Sequence, residues 1–329
     1  MKILVTGGAG FVGSHASKLL ATAGHEPVVF DDMRRGNRWA VKWGPLVDAA
    51  LEDRVALEKA MVDHRIEAVM HFAAYAYVGE SVAEPSMYFR NNVSNSFNVL
   101  DAMVATGVDR LVISSTCATY GIPDRLPITE NTPQRPINPY GQSKKMLEEA
   151  ARWYGESHGI RSVALRYFNA AGCDPDGEIG EWHEPETHLI PLVVDAALGR
   201  RDAVHVFGTD YDTPDGTAVR DYIHVNDLVS AHLAALNYLN ADGPTTALNL
   251  GTGSGTSVQE IIDAVTRYVG QAPKVIEAPR RAGDPPVLVA DPTLAARIIN
   301  WQAQRSDVDT IVEDTVRWYR EIYPKFNVA

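Results

Sequence analysis

An α/β fold, a doubly wound parallel sheet with a smaller mixed α/β lobe, follows from three features of the sequence. Short runs rich in Val, Ile and Leu alternate with longer amphipathic stretches through about residue 170, the pattern of strand, crossover helix and strand. The first such run leads directly into "TGGAGFVGS", a glycine-spaced turn that opens a helix. The second run ends on Asp31, roughly twenty residues past that turn, where a carboxylate can meet a ribose. Together these mark a sheet of the Rossmann type.

In chain order the expected strands are "KILVT", "PVVF", "AVMHF", "RLVISS" and "SVALRYF". The stretches "VGSHASKLLATAG" and "NNVSNSFNVLDAMVATG" read as helices stopped by glycine before the next strand. After Asn169 the composition changes to "AAGCDPDGEIGEWHEPETH", too polar and proline-broken for a regular element. This places a lobe boundary, with a dinucleotide-binding domain over 1–170 and a substrate domain over 171–329, some segments crossing between them. Three helices are expected in the second lobe, near 189–199, 226–240 and 257–269, the last opening on Ser257 and Glu260 in capping-box spacing.

Composition narrows the function. The net charge of −12 disfavours a nucleic-acid or anionic-membrane partner, because phosphate binding needs a basic face. Two cysteines, Cys117 and Cys173, cannot build a disulfide framework. The opening "MKILVTGG" reads as a buried strand rather than a leader, and no apolar run is long enough to span a bilayer. The expectation is a cytoplasmic protein.

Gly7, Gly10 and Gly13 stand three apart at the start of the first helix. Lacking Cβ atoms, they let backbone amides and a helix N-terminus approach a pyrophosphate. Asp31 favours NAD; Arg34 and Arg35 could receive the 2′-phosphate of NADP, which Asp31 would repel. A second constellation follows. Thr116 ends the strand "RLVISST", and Tyr140 and Lys144 are four apart in "YGQSK", so they share one helix face. A free tyrosine, with a pKa of about 10, is a poor base at neutral pH. A nearby ammonium and an oxidised nicotinamide would both stabilise its phenolate, as alcohol oxidation requires.

Other segments carry less. In "EWHEPETH", Glu181, His183, Glu184, Glu186 and His188 suggest a metal cluster. However, Pro185 breaks the helix that would align them and the spacing is not His-Glu-x-x-His, so no metal is expected. "GTGSGTS" reads as a turn capping the next helix, and "RRGNRWAVKWG" as a solvated face with packed tryptophans. Cys117 lacks a histidine placed to activate it and reads as a packing residue.

On the motifs "TGGAGFVGSH", "HFAAYAYVGESV", "NNVSNS", "SSTCATYG", "NPYGQSK", "LRYFNAAG", "GTDYDTPDGTAVRDYIHVNDL", "LNLGTGSGTSV" and "RRAGDPP", the chain resembles the extended short-chain dehydrogenase/reductase family. Within it the likeness is to nucleotide-sugar 4-epimerases of the UDP-glucose 4-epimerase type, over nearly the whole length. The resemblance implies NAD as cofactor, a UDP-sugar as substrate, and a homodimer formed through a two-helix face. It implies that Thr116, Tyr140 and Lys144 are catalytic. By the same likeness Gly7, Gly10, Phe11, Val12, Gly13, Asp31, Leu51, Phe72, Ala73, Ala74, Asn91, Ser114, Tyr140, Lys144 and Phe168 line the cofactor. Thr116, Tyr140, Asn169, His188, Leu189, Val206, Phe207, Arg220, Arg281 and Asp284 match positions that hold the nucleotide sugar. Arg220 and Arg281 suit a diphosphate, which guanidinium groups bind in bidentate fashion. Ala50, Ala76, His188 and Leu288 depart from the family's usual residues, and "AYAYVGES" is similar to UDP-arabinose and UDP-xylose 4-epimerases.

Two rival activities share this scaffold. A nucleotide-sugar 4,6-dehydratase resembling this chain would carry Asp-Glu after the threonine, where Cys117 and Ala118 stand here. A non-catalytic NAD-dependent sensor would not need Thr116, Tyr140 and Lys144.

Overall fold

The computed structural model describes residues 1–281 and 284–323. Its centre is a seven-stranded sheet. The strands β1 (Lys2–Thr6), β2 (Glu26–Asp31), β3 (Leu46–Asp48), β4 (Ala68–His71), β5 (Arg110–Thr116) and β6 (Arg161–Tyr167) are joined by a last strand, Thr246–Leu250. The spatial order is Thr246–Leu250, β6, β5, β4, β1, β2, β3, with every pairing parallel. Strand order reverses between β1 and β4, and the crevice beyond the carboxyl ends at such a point is where doubly wound sheets bind ligands. Thr6 pairs with His71 there, and the Thr6 hydroxyl and His71 Nδ1 are 2.7 Å apart.

Both faces of the sheet are covered, so its strands are apolar throughout rather than alternating. Ile3 and Val5 join Met70, Val112, Leu165, Leu228, Leu236 and Leu248 in one core. Leu4 turns to the opposite face with Phe30, Leu57, Val69, Leu111 and Leu147. Chain beyond residue 171 contributes to both regions: the helix Val225–Asn240 and the strand Thr246–Leu250 pack in the first core, as do Ile299 and Trp301.

The third core, with Ile190, Val194, Val204, Ile261, Ile311 and Trp318, belongs to the smaller lobe. Its strands are two to four residues long, grouped as Asn169–Ala171 with Tyr222–His224, Val204–Phe207 with Val275–Ala278, and Val219–Arg220 with Thr256–Ser257 and Val287–Leu288. Two further helices, Thr293–Ile299 against the first core and Val308–Arg317 in the third, add to the three expected. The helix Val258–Val269 carries the anticipated capping box: the Glu260 amide donates to Ser257 Oγ at 3.0 Å, and the Ser257 amide to Glu260 at 2.7 Å. No described helix is long and apolar enough to cross a membrane.

Candidate active site

The cradle forms between β1 and the helix Phe11–Thr22. Gly7 has φ +72°, and a Cβ there would come 2.6 Å from the Ala73 amide nitrogen. The turns after β1 and β4 therefore touch only because Gly7 lacks a side chain. A Cβ at Gly13 would collide with the Gly7 carbonyl oxygen. At the helix start no side chain caps the free amides, which leaves them available to an anion. Asp31 accepts hydrogen bonds from the Ala9 and Met33 amides, each 3.0 Å, and burial pushes its carboxyl upward. Glycines that clear the approach, an uncapped helix N-terminus and a fixed carboxylate together fit a dinucleotide. Arg34 donates to Glu52 at 2.9 Å and Arg35 to Glu80 at 2.6 Å, so both arginines that could favour a 2′-phosphate already face carboxylates.

Thr116 ends β5, and the helix Pro139–His158 brings Tyr140 and Lys144 alongside. Asn138 caps this helix through the Gly141 amide at 2.8 Å, with Pro139 in the first position. A Cβ at Gly141 would strike the Ala118 carbonyl oxygen. This glycine, unmarked in the sequence reading, lets the helix start press against the loop behind Thr116. Asn92 holds the same corner from below. Its side chain accepts from the Tyr75 amide at 2.9 Å and donates to Ser143 Oγ at 3.1 Å. It lies in a π-helical turn, Arg90–Ser94, of the kind frequent at functional sites; Asn91 donates to it at 2.9 Å.

The electrostatics differ from expectation in one respect. Lys144 is 1% exposed and spends its ammonium on the Ser114 carbonyl, 2.7 Å away. Burial, offset only in part by Glu148, lowers its pKa to about 8. Tyr140 is pushed up to about 12 by burial, while its hydrogen bond with Thr116 acts in the opposite direction. The Lys144 ammonium donates to the backbone at the end of the strand that carries Thr116. Burial also pushes the Cys117 thiol up to about 12, which leaves it a protonated packing group at neutral pH.

The remaining positions divide. Phe11, Val12, Phe72, Ala73, Ala74, Asn91 and Tyr140 are half-buried around the crevice. Leu51 and Phe168 are instead in cores, 6% and 8% exposed, and Ser114 bonds Tyr167 through its hydroxyl. In the smaller lobe, Arg220 donates to Asp284 at 2.5 Å, and the Arg281 guanidinium lies 4.1 Å over the Phe207 ring. The positive charge of Arg220 also acts on Cys117, linking this lobe to the end of β5. Asn169 and Leu189 open a short strand and a helix, the latter immediately preceded by His188. Strand alternation turns the Val206 side chain into the core at 3% exposure while Phe207 faces outward, which leaves the Val206 backbone to meet a ligand.

Two further segments resolve physically. The glycine run at 251–257 spends its amides on Asp221, which accepts from Thr252 at 2.8 Å and Gly253 at 3.2 Å, so it is a structural turn. The "EWHEPETH" segment corrects the sequence argument: despite Pro185, ligand atoms of Glu181, His183, Glu186 and His188 lie within 4.8 Å of one another. A loop, not a helix, brings them together. Burial opposes charge on His188, yet Glu181 and Glu186 pull it up to about 10.

A sequence profile of the NAD dependent epimerase/dehydratase family matches residues 3–251, and the chain belongs to that family. It is 50% identical over 317 residues to a UDP-glucose 4-epimerase of Rhizobium meliloti, covering 96% of each chain. Among solved structures it resembles the UDP-glucose 4-epimerase from Brucella ovis in complex with NAD, at 51% identity and TM-score 0.94, covering 95% of this chain and 96% of that one. It also resembles a UDP-glucose-4-epimerase from Stenotrophomonas maltophila with bound NAD and formylated UDP-arabinopyranose, at 39% identity and TM-score 0.95, covering 99% of each.

Proposed function

We infer that this chain is an NAD-dependent epimerase that interconverts UDP-glucose and UDP-galactose by inverting C4 through a 4-keto sugar. The observation that carries this reading, within a family that also includes dehydratases, is the end of β5. Thr116 lowers the pKa of the neighbouring Tyr140 phenol there, and the next two residues, Cys117 and Ala118, supply no acid or base for elimination.

The bound dinucleotide supplies a reversible hydride acceptor and a positive charge near the phenol. Gly7, Gly10 and Gly13 clear its approach and Asp31 holds its ribose end. Tyr140 takes the proton from the sugar 4-hydroxyl, with Thr116 orienting the exchange. Lys144, against the Ser114 carbonyl, keeps a cationic group beneath the site. Burial holds Tyr140 at about 12 in the ligand-free chain, so the phenol ionises only once positive charge is bound beside it. Arg220, steadied by Asp284, and Arg281 grip the diphosphate. With C4 planar, the hexose can swing about its bonds to the anchored diphosphate and present its other face to the hydride that the cofactor would supply, while Tyr140 returns its proton to the C4 oxygen, so that the configuration at C4 inverts. Such a site must hold the nucleotide firmly and the sugar loosely.

A second substrate, UDP-arabinose with UDP-xylose, is favoured by "AYAYVGES" and by the pentose nucleotide in the Stenotrophomonas structure. We also propose a homodimer. The helices Asn95–Thr106 and Pro139–His158 expose Phe97, Val104, Met146 and Trp153, an apolar face that a second copy would cover. The functional test is proton NMR of UDP-galactose and UDP-xylose with the purified protein. An epimerase yields the C4 epimer without consuming added NAD; a 4-keto-6-deoxy product, or no change in any UDP-sugar, refutes the reading.

A further inference from the structure

Between Gly180 and the helix Leu189–Ala197 the chain doubles back and sets two carboxylates against two imidazoles. His183 Nδ1 is 3.3 Å from Glu186 Oε2 and 3.4 Å from Glu181 Oε1. His188 Nδ1 is 2.9 Å from Glu186 Oε1 and 3.0 Å from Glu181 Oε1. Donor atoms bound tetrahedrally at about 2.0–2.1 Å from an ion lie about 3.3–3.4 Å from one another. The four separations, which reach Glu186 through both of its oxygens, fall at or somewhat below that length.

Hydrogen bonding leaves the group incomplete. Glu181 is 1% exposed, and its Oε1, aimed at both histidines, accepts no hydrogen bond. A neutral imidazole carries a proton on only one nitrogen, and the Nδ1 atoms of His183 and His188 meet Glu186 with hydrogen-bonding geometry. The nearby aromatic rings, Phe11 and Tyr77 beside His183 and Tyr77 beside His188, bring no countercharge. Two carboxylates and two imidazoles facing one another in such a space form a donor set that a bound cation can complete.

We propose that Glu181, His183, Glu186 and His188 form a four-coordinate site for a borderline divalent transition-metal ion, Zn2+ foremost. Two imidazole nitrogens and two carboxylate oxygens suit that class better than Mg2+ or Ca2+, which prefer oxygen ligands in larger numbers. Two carboxylates neutralise a divalent charge, and the ion satisfies the stranded Glu181 oxygen. The site braces the fold rather than the reaction. His183 meets Phe11 at the start of the cradle helix, His188 immediately precedes the helix Leu189–Ala197, and Tyr77 donates to the Pro185 carbonyl at 3.1 Å. One ion would thereby fix the cradle against the smaller lobe.

The test uses the full-length protein treated with a chelator, equilibrated with Zn2+ or Co2+ and desalted. The expected result is about one Zn2+ retained per chain, a visible band of four-coordinate Co2+, and a thermal midpoint raised by about 5 °C on metal addition. Glu181→Gln and His183→Ala should each lose the retained ion and the metal-dependent shift while keeping far-UV circular dichroism. If wild type retains no ion above background, the proposal fails. Equal uptake by wild type and a folded Glu181→Gln variant also overturns it, since the ion then sits elsewhere. A midpoint that follows pH but not metal would mean that protons alone compensate the cluster.

Discussion

The dinucleotide crevice is assembled largely from strand ends and the turns that follow them, whereas the surroundings of Arg220 draw on several short, distant segments. Gly7 to Gly13, Asp31 and Thr116 sit on or just after long, fully buried parallel strands, so their positions follow from the sheet itself. Arg220 belongs to a two-residue strand paired with residues 256–257 and 287–288, and its carboxylate partner is Asp284. A site on a rigid sheet edge tolerates little substitution of shape. One held by an ion pair between short segments of the smaller lobe is sensitive to charge. This division matches the chemistry proposed, in which the cofactor stays and the sugar turns.

Four perturbations would break or sharpen the contrast. The largest effect is expected on the sheet side. Gly13→Ala places a methyl against the Gly7 carbonyl, and because geometry at a reacting centre is exacting, turnover should fall by more than about a hundredfold. Absorbance and cofactor content of the purified variant should show most bound NAD lost; full NAD content would refute the fit argued for the cradle. On the lobe side, Arg220→Ala leaves Asp284 without its partner, and KM for the UDP-sugar should rise about 30-fold with kcat changed much less. A fall in kcat alone would place Arg220 in the chemistry rather than in the anchor.

Next is Lys144, whose pKa is lowered from 10.5 to about 8 by burial. Below pH 8 both folded and unfolded chains carry the proton, and the folded state bears the full desolvation cost. Between pH 8 and 10.5 the folded state sheds its proton first, so this contribution to stability rises with pH. Lys144→Met should therefore stabilise the ligand-free protein at pH 7, by at most about 3 kcal/mol, while depressing activity. Denaturant melts at pH 7 and 10 test this; a destabilised variant at pH 7 would show that the hydrogen bond to Ser114 outweighs desolvation. The smallest effect on turnover is expected for Trp153→Glu, on the exposed two-helix face. Sedimentation should show dimer giving way to monomer, and an unchanged assembly would exclude that face.

The same contrast governs how much could be read from sequence. The five expected strands match β1, β2, β4, β5 and β6, because fully apolar runs between amphipathic helices have few other solutions. The Tyr140–Lys144 helix and the residues of the cradle were legible from spacing alone. Gly141 and Asn92 were not: what makes them matter is the Ala118 carbonyl and Ser143 opposite them, which no periodicity reports. The helix Val308–Arg317 also escaped, since the lobe it packs in lacks long strands to frame it. The burial of the Val206 side chain was not legible either, because a four-residue strand sets inside from outside by register. In the "EWHEPETH" segment helical spacing is the wrong template, because a loop brings Glu181, His183, Glu186 and His188 together.

The central claim is that a single phenol, raised by burial and ionised by bound positive charge, moves the proton on the 4-hydroxyl. Its most direct test is the initial rate of UDP-galactose conversion by Tyr140→Phe against wild type, followed by proton NMR with UDP affinity measured on the same samples. The prediction is a loss of about a thousandfold with UDP binding and thermal midpoint retained. Conversion at the wild-type rate by the phenylalanine variant would contradict it.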